Sequence, residues 1–386
     1  VERRTLICRT GLFNRALKLW CDGFSRWNVR DGATPADIDA SPDDDCASHR
    51  MTTAIDIHFH VVPPLLVEAL RRRAFDEAVE IVSDSDGDRL VFHAPQGVVV
   101  EPGTRISASQ YDERQILLAM DQRRLDAAAV SLPPELFLYW TSPDLAERLA
   151  RTINDGLAQM ARAYPDRFLP LAALPLQDGI RAARELERAV RQLNLKGASI
   201  CTHVNGTDLD DPSVAPVLAM AERLDVPLFL HPQNAGDISR IKDYHLWNVL
   251  GFPMETATAA SRLIASGAFE RLPRLKIVLA HGGGFFPYQI GRLDQGYRAQ
   301  PAAFKGLPKP PSAYLRNIYC DSLTHNDLSL RFLVDRMGAD RVVLGTDYPF
   351  SMRCDRAVDA VGELALPSSQ HKAILGGTLE KLLRVA

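Results

Sequence analysis

The stretch "AIDIHFHVVPP", residues 54–64, sets His58 and His60 one residue apart at the end of a short apolar run. In a strand, successive side chains point to opposite faces. Asp56, His58 and His60 are therefore expected on one side and Ile57 and Phe59 on the other. A polar face of this composition fits half of a metal site, and equally the half-exposed end of an ordinary strand. The rest of the chain has to decide between them.

From residue 53 onward, β-branched apolar segments alternate with helical ones. The spacing predicts strands at 53–60, 127–132, 168–174, 196–201, 226–231, 275–281, 317–322 and 341–347. Between them lie amphipathic stretches such as 144–164 and 179–194, with apolar residues three and four apart. Eight strands each followed by helical sequence indicate an α/β chain closed as a (β/α)8 TIM barrel. An open doubly wound sheet would require a glycine-rich phosphate turn after the first strand, where "HFHVVPP" stands instead. The segment 61–110 is too long for a simple connection. Its alternating pieces "AVEIVSD" and "RLVFHA" predict a small hairpin inserted after strand one and lying over the barrel mouth.

In this register His58 and His60 close strand one, His231 strand five, His281 strand six and Asp347 strand eight. Carboxyl ends of barrel strands converge on one face, where active sites are assembled from several strands. Imidazoles and a carboxylate gathered there suit a divalent transition metal such as zinc. The only Lys near strand four, Lys196, begins that strand instead of ending it, so a single metal is expected. "HGGG" (281–284) reads either as backbone amides offered to an anion or as a plain tight turn. His203, in "THVN", is a candidate site donor or loop cap. His93, His245, His325 and His371 are assigned to the surface.

Composition bounds the function. Hydrophobic residues make up 46% of the 386 and charged residues 24%, as in an ordinary globular protein with a sizeable core. A net charge of −3 with no basic stripe gives no case for nucleic acid or an anionic membrane surface. No apolar run approaches the length of a membrane span. Cys8, Cys21, Cys46, Cys201, Cys320 and Cys354 contain no CxxC pair, so reduced thiols in a cytoplasmic protein are expected. Residues 1–50 are arginine-rich and then acidic. They offer no element the later pattern needs, and are read as a disordered or spurious N-terminal extension, with the barrel over 51–386.

With these positions assigned, the chain resembles the amidohydrolase superfamily, and within it the metal-dependent decarboxylases related to 2-amino-3-carboxymuconate 6-semialdehyde decarboxylase. The blocks that carry the resemblance are "IDIHFH", "FLYWTSPD", "CTHVNGTDL", "LFLHP", "GFPMETATA", "LPRLKIVLAHGGGFFPYQIGR" and "VVLGTDYPF". The resemblance implies a barrel of the metal-dependent hydrolase type and, in it, a zinc ion on His58, His60, His231 and Asp347 with water in an open position. It implies His281 as the acid/base, Arg240 gripping a substrate carboxylate across a homodimer interface, and Phe350 lining the pocket. Arg105 is carried over as a further carboxylate contact. Relatives place Trp after the strand-five "HP"; Gln233 stands here, exchanging an aromatic wall for an amide. Zinc lowers the pKa of bound water to about 7, and no flavin, pyridoxal or nicotinamide motif is present. The expected activity is nonoxidative decarboxylation of a small carboxylated muconate semialdehyde or hydroxyaromatic acid. The rivals are hydrolysis or hydration at the same site, and a noncatalytic scaffold.

Overall fold

A computed structural model describes residues 53–385 apart from 76, 86, 96–104 and 234–238. The reading of residues 1–50, and the state of Cys8, Cys21 and Cys46, fall outside the described residues. Eight parallel strands organise the chain: β1 (Ile55–His60), β2 (Ala127–Ser131), β3 (Leu171–Ala172), β4 (Gly197–Cys201), β5 (Leu228–His231), β6 (Ile277–Leu279), β7 (Ile318–Asp321) and β8 (Val342–Val343). β1 pairs with β2, and β3 to β8 form one sheet in sequential order. Backbone hydrogen bonds cross both remaining seams. Ala128 N–H donates to Arg167 O and Leu169 N–H to Ala128 O, each at 2.9 Å; Ile57 N–H reaches Leu344 O at 2.9 Å and His60 N–H reaches Tyr348 O at 2.7 Å.

Helices between the strands form where the sequence supplies both caps and an apolar stripe. Pro143–Ala163 starts on Ser142, whose hydroxyl accepts the Leu145 N–H, with Pro143 at its first position. Gly179–Leu193 starts on Asp178, which accepts from the Ile180 and Arg181 amides, and ends on Asn194 at φ 61°. Each such cap contributes about 1 kcal/mol. Ala182, Ala183, Leu186 and Ala189 bury the inner stripe of the second helix. Inside the ring of strands, Ile55, Ile57, Ala127, Ala129, Leu169, Leu171, Phe229, Val278, Ala280 and Val343 form a separate apolar cluster. Leu379, Leu382 and Leu383 of the last helix, Thr378–Leu383, pack onto it.

All eight strands are shorter than the spacing predicts, three of them by four residues or more. Pro170, with no N–H to donate, and the Ala173 amide, taken by Asn154 Oδ1 at 2.9 Å, limit β3 to two residues. Beyond β8 the amides are claimed by other groups: Leu344 N–H by Ile374 O, Gly345 N–H by Ser322 Oγ, and Thr346 N–H by Asp56 Oδ1. Beyond β6, His281 and Gly282 donate to Asp321. His281 and Asp347 therefore sit in turns past their strands, both in the left-handed region, at φ 56° and 62°. Strict alternation in β1 also fails. Its pairing with β2 shifts register between Asp56 and Phe59. Ile57 consequently joins the interior cluster while Phe59 packs in the outer one.

Between β1 and β2, Val79–Asp84 and Gly87–Phe92 pair antiparallel, as the alternation predicts, and Arg105–Ile106 adds a third short strand.

Candidate metal centre and active site

His58, His60 and His231 are fully or almost fully buried, as is Asp347. Their nearest ligand atoms all lie within 4.8 Å of one another. The imidazole rings of His58, His60 and His231 stand edge to face at centroid distances of 4.9–5.1 Å. His58 Nε2, His60 Nε2, His231 Nε2 and Asp347 Oδ1 are all buried without a hydrogen-bond partner. The carboxylate oxygen is 3.1 and 3.3 Å from the first two nitrogens, but these approaches lack hydrogen-bond direction. An unpaired buried polar atom costs about 1–3 kcal/mol, so four converging on one point require a common partner. Three nitrogens and one carboxylate oxygen are the donor set of a first-row divalent cation.

Each imidazole is oriented from behind. His58 Nδ1 is 2.7 Å from Asp321 Oδ2, His231 Nδ1 is 2.7 Å from Pro232 O, and His60 Nδ1 is 3.2 Å from Leu132 O. Donation from Nδ1 leaves the Nε2 lone pair free for a metal. Burial opposes charge on His58, but Asp347 and Asp321 outweigh it and raise its pKa to about 10. Burial lowers His231 well below the usual range, with the His58 charge adding to the effect. Burial also opposes the Asp347 carboxylate, yet the His58 charge and the close approach of the neighbouring imidazoles hold its pKa well down. Burial thus favours the neutral form of His60 and His231, the form that binds a metal.

Sequence reasoning missed Asp321. This buried carboxylate accepts from His58 Nδ1, from the His281 and Gly282 amides, and from Leu323 N–H. It ties the metal ligands to the turn that carries His281. Its only sequence signal is an acid at the end of a strand, in "NIYCDS". Gly345 passes so close that a Cβ there would lie 2.8 Å from Asp321 Cβ and 3.2 Å from His58 Cβ. Asp56 braces the residue before Asp347: it accepts the Thr346 hydroxyl at 2.5 Å, and burial pushes its carboxyl up to about 7. Replacing Asp321 by Asn is expected to weaken metal affinity about 10–100-fold. Wild-type affinity on metal titration would remove it from the site.

His281 Nε2 lies 3.6 Å from Asp347 Oδ2, with the imidazole partly exposed. In "HGGG" the amides of Gly282, Gly283 and Gly284 are committed to Asp321, Ala280 O and His281 O. The glycines form a tight turn and offer no anion cradle. At Gly284, φ is +59° and a Cβ would meet Pro253 O at 2.2 Å.

A cavity of about 1690 Å³ opens on His231, His281 and Asp347. Arg105, His203, Gln233 and Phe350 line it. Phe350 stands 5.1 Å from the His60 ring. Arg105 is paired with Asp84 at 3.1 Å. His203 Nδ1 accepts the Gly206 amide and so caps its loop. Arg240 is exposed and is not among the residues lining the cavity, whereas Lys242 is. His245 and His325, assigned to the surface from sequence, also line it. Their positions depend on loop paths that no periodicity encodes.

The profile of the amidohydrolase family matches residues 55–385. The chain belongs to the amidohydrolase family. This amidohydrolase is 38% identical over 248 residues to 2-amino-3-carboxymuconate-6-semialdehyde decarboxylase of Dictyostelium discoideum, covering 64% of this chain and 69% of that protein. It is 33% identical over 308 residues to gamma-resorcylate decarboxylase of a Polaromonas strain, covering 74% of this chain and 90% of the relative. A crystal structure of dihydroxybenzoic acid decarboxylase from Polaromonas, with bound manganese and the inhibitor 2-nitroresorcinol, superposes with a TM-score of 0.68 at 29% identity. That match covers 87% of this chain and 98% of the other. The amidohydrolase therefore takes its place among the metal-dependent carboxy-lyases of the superfamily. Among its described residues, no helix is long and apolar enough to cross a membrane.

Proposed function

We propose that this amidohydrolase is a zinc-dependent, nonoxidative decarboxylase of a small hydroxyaromatic acid or carboxylated muconate semialdehyde, acting in aromatic catabolism in the cytoplasm. The observation that carries the reading is the convergence of four buried, unpartnered ligand atoms beside His281. The hydrogen bonds across both strand seams support a closed (β/α)8 barrel. Arg105, Ser107, Ser109 and Gln110, which follow the hairpin, contribute to the cavity wall and support its role as a cover.

When bound, the cation supplies a Lewis acid that polarises an oxygen of the substrate. The side chains do the rest. His58, His60, His231 and Asp347 hold the ion, and Asp321 and Asp56 hold the ligands. His281, on the cavity side of Asp347, delivers the proton. The bond to the carboxyl carbon breaks, its electron pair stays on the ring or chain carbon, and that carbon takes the proton as CO2 leaves. Anaerobic incubation of zinc-loaded protein with hydroxybenzoates and carboxymuconate semialdehydes tests the reading. CO2 release is expected from at least one of them. Products of hydrolysis or hydration with the carboxylate retained would overturn it.

The proposal extends to a homodimer. Tyr288 and Phe332, with ring centroids 5.8 Å apart, and Leu328, 81% exposed, border the cavity on its outer side. In the proposed dimer, Arg240 of the second copy grips the substrate carboxylate. Arg240→Ala is expected to raise KM for carboxylated substrates about 10-fold, in line with a charge-assisted contact, and wild-type kinetics would rule out the clamp. Leu328→Glu is expected to shift sedimentation toward monomer.

A further inference from the structure

The imidazoles of His58, His60 and His231 are each aimed by a hydrogen bond at Nδ1, to Asp321, Leu132 O and Pro232 O. His281 lacks such a contact. Its Nδ1 is buried and has no hydrogen-bond partner among the described residues, and its Nε2 lies 3.6 Å from Asp347 Oδ2, beyond ordinary hydrogen-bond length. The backbone of the residue is pinned, because its amide donates to Asp321. The ring itself is held by packing instead of by polar contacts.

Aromatic rings supply that packing. His58 and His231 stand edge to face against the His281 ring at 5.1 and 5.0 Å. Phe252 lies nearly parallel to it, with planes 25° apart and centroids 6.5 Å apart, within the range of offset-stacked pairs. Trp247 in turn meets Phe252 edge to face at 5.4 Å.

The backbone brings Phe252 to this place by an irregular path. Trp247–Gly251 forms a π-helical turn that runs directly into the helix Phe252–Ala265. Residues five apart on a regular α-helix point about 140° apart. The wider turn, bonded from i to i+5, brings Trp247 and Phe252 to one side, and turns of this kind recur at functional sites. Pro253 then seats the helix on the turn that carries His281: a Cβ at Gly284 would meet Pro253 O at 2.2 Å. Trp247, Phe252 and His281 all line the cavity.

We propose that Phe252, braced by Trp247, is a positioning residue that fixes the plane of the His281 imidazole for proton delivery. This deepens the decarboxylase reading and rests on the part His281 plays in it.

The test uses zinc-loaded protein and two substitutions of one side chain. Phe252→Leu keeps an apolar group but removes the flat face, and Phe252→Tyr keeps the face. In Phe252→Leu, kcat for CO2 release is expected to fall about 10–100-fold, the effect of a misaligned reacting group, with KM and metal content close to wild type. Phe252→Tyr is expected to restore kcat, and Trp247→Leu to lower it less than Phe252→Leu does. A crystal structure of Phe252→Leu gives a readout independent of turnover. His281 is expected in more than one ring orientation, while His58, His60 and His231, still held at Nδ1, each keep one. A raised KM with unchanged kcat would make Phe252 a plain wall of the pocket, and loss of metal would make it a support of the ligands. Either result, or an unmoved His281 ring, overturns the inference and leaves the decarboxylase standing. If wild type releases no CO2 from any hydroxybenzoate or carboxymuconate semialdehyde, the decarboxylase reading falls, and the His281 ring orientation alone decides the positioning role.

Discussion

Asp347→Ala is expected to be recovered without bound metal and without measurable CO2 release. Asp347 is the only anionic ligand and sits between His58 Nε2 and His60 Nε2 at 3.1 and 3.3 Å. Removing it leaves three buried imidazole nitrogens to hold a divalent ion with no charge to balance it. It also deletes the main group that raises the His58 pKa. Changing a hydrogen-bond partner of a ligand already costs about 10–100-fold in metal affinity or activity, so loss of the ligand itself should exceed that range. Elemental analysis is the deciding measurement. Full occupancy in Asp347→Ala would sink the ligand assignment, and His58→Ala supplies an independent check on the same shell.

His281→Asn separates chemistry from metal binding. His281 contributes its backbone amide to Asp321 and holds φ at 56°, a conformation Asn accepts more readily than most residues. The turn and the Asp321 network are therefore kept while the titrating ring is lost. Metal content is expected to match wild type, with kcat falling about 10²–10⁴-fold, the usual contribution of a positioned acid or base. Turnover close to wild type would remove His281 from the mechanism. Equal loss of metal and turnover would make it a ligand instead.

Much of the site was legible because its residues ride on strand ends. His58, His60 and His231 lie within hydrophobic segments whose period identifies them as strands, and parallel strands present their carboxyl ends on one face. Asp347 and His281 were found for a less secure reason. They follow apolar runs, yet both stand in turns past the last paired residue, where side chains take over the backbone amides. Asp321 was overlooked because a lone acid at a strand end has many bland explanations, and its four hydrogen-bond donors come from three separate segments of the chain. Gln233 was noticed as a departure from relatives, but its contact with the Cys201 thiol, 3.4 Å away, has no signal in the sequence. The "HGGG" turn stayed ambiguous in sequence because only the destinations of its N–H groups distinguish an anion cradle from a packed corner.

The order of amino acids alone settled the alternation of strand and helix, the choice of candidate metal-ligating residue types and their approximate level at the strand ends. Those are local properties, written in period and spacing. Folding decided which atoms remain unpaired: three Nε2 lone pairs and one carboxylate oxygen gathered within 4.8 Å, with His58 and His60 aimed by partners far away in the chain. Hydrogen-bond satisfaction is a whole-molecule condition, so an empty valence at a buried atom exists only once every other group has taken its place.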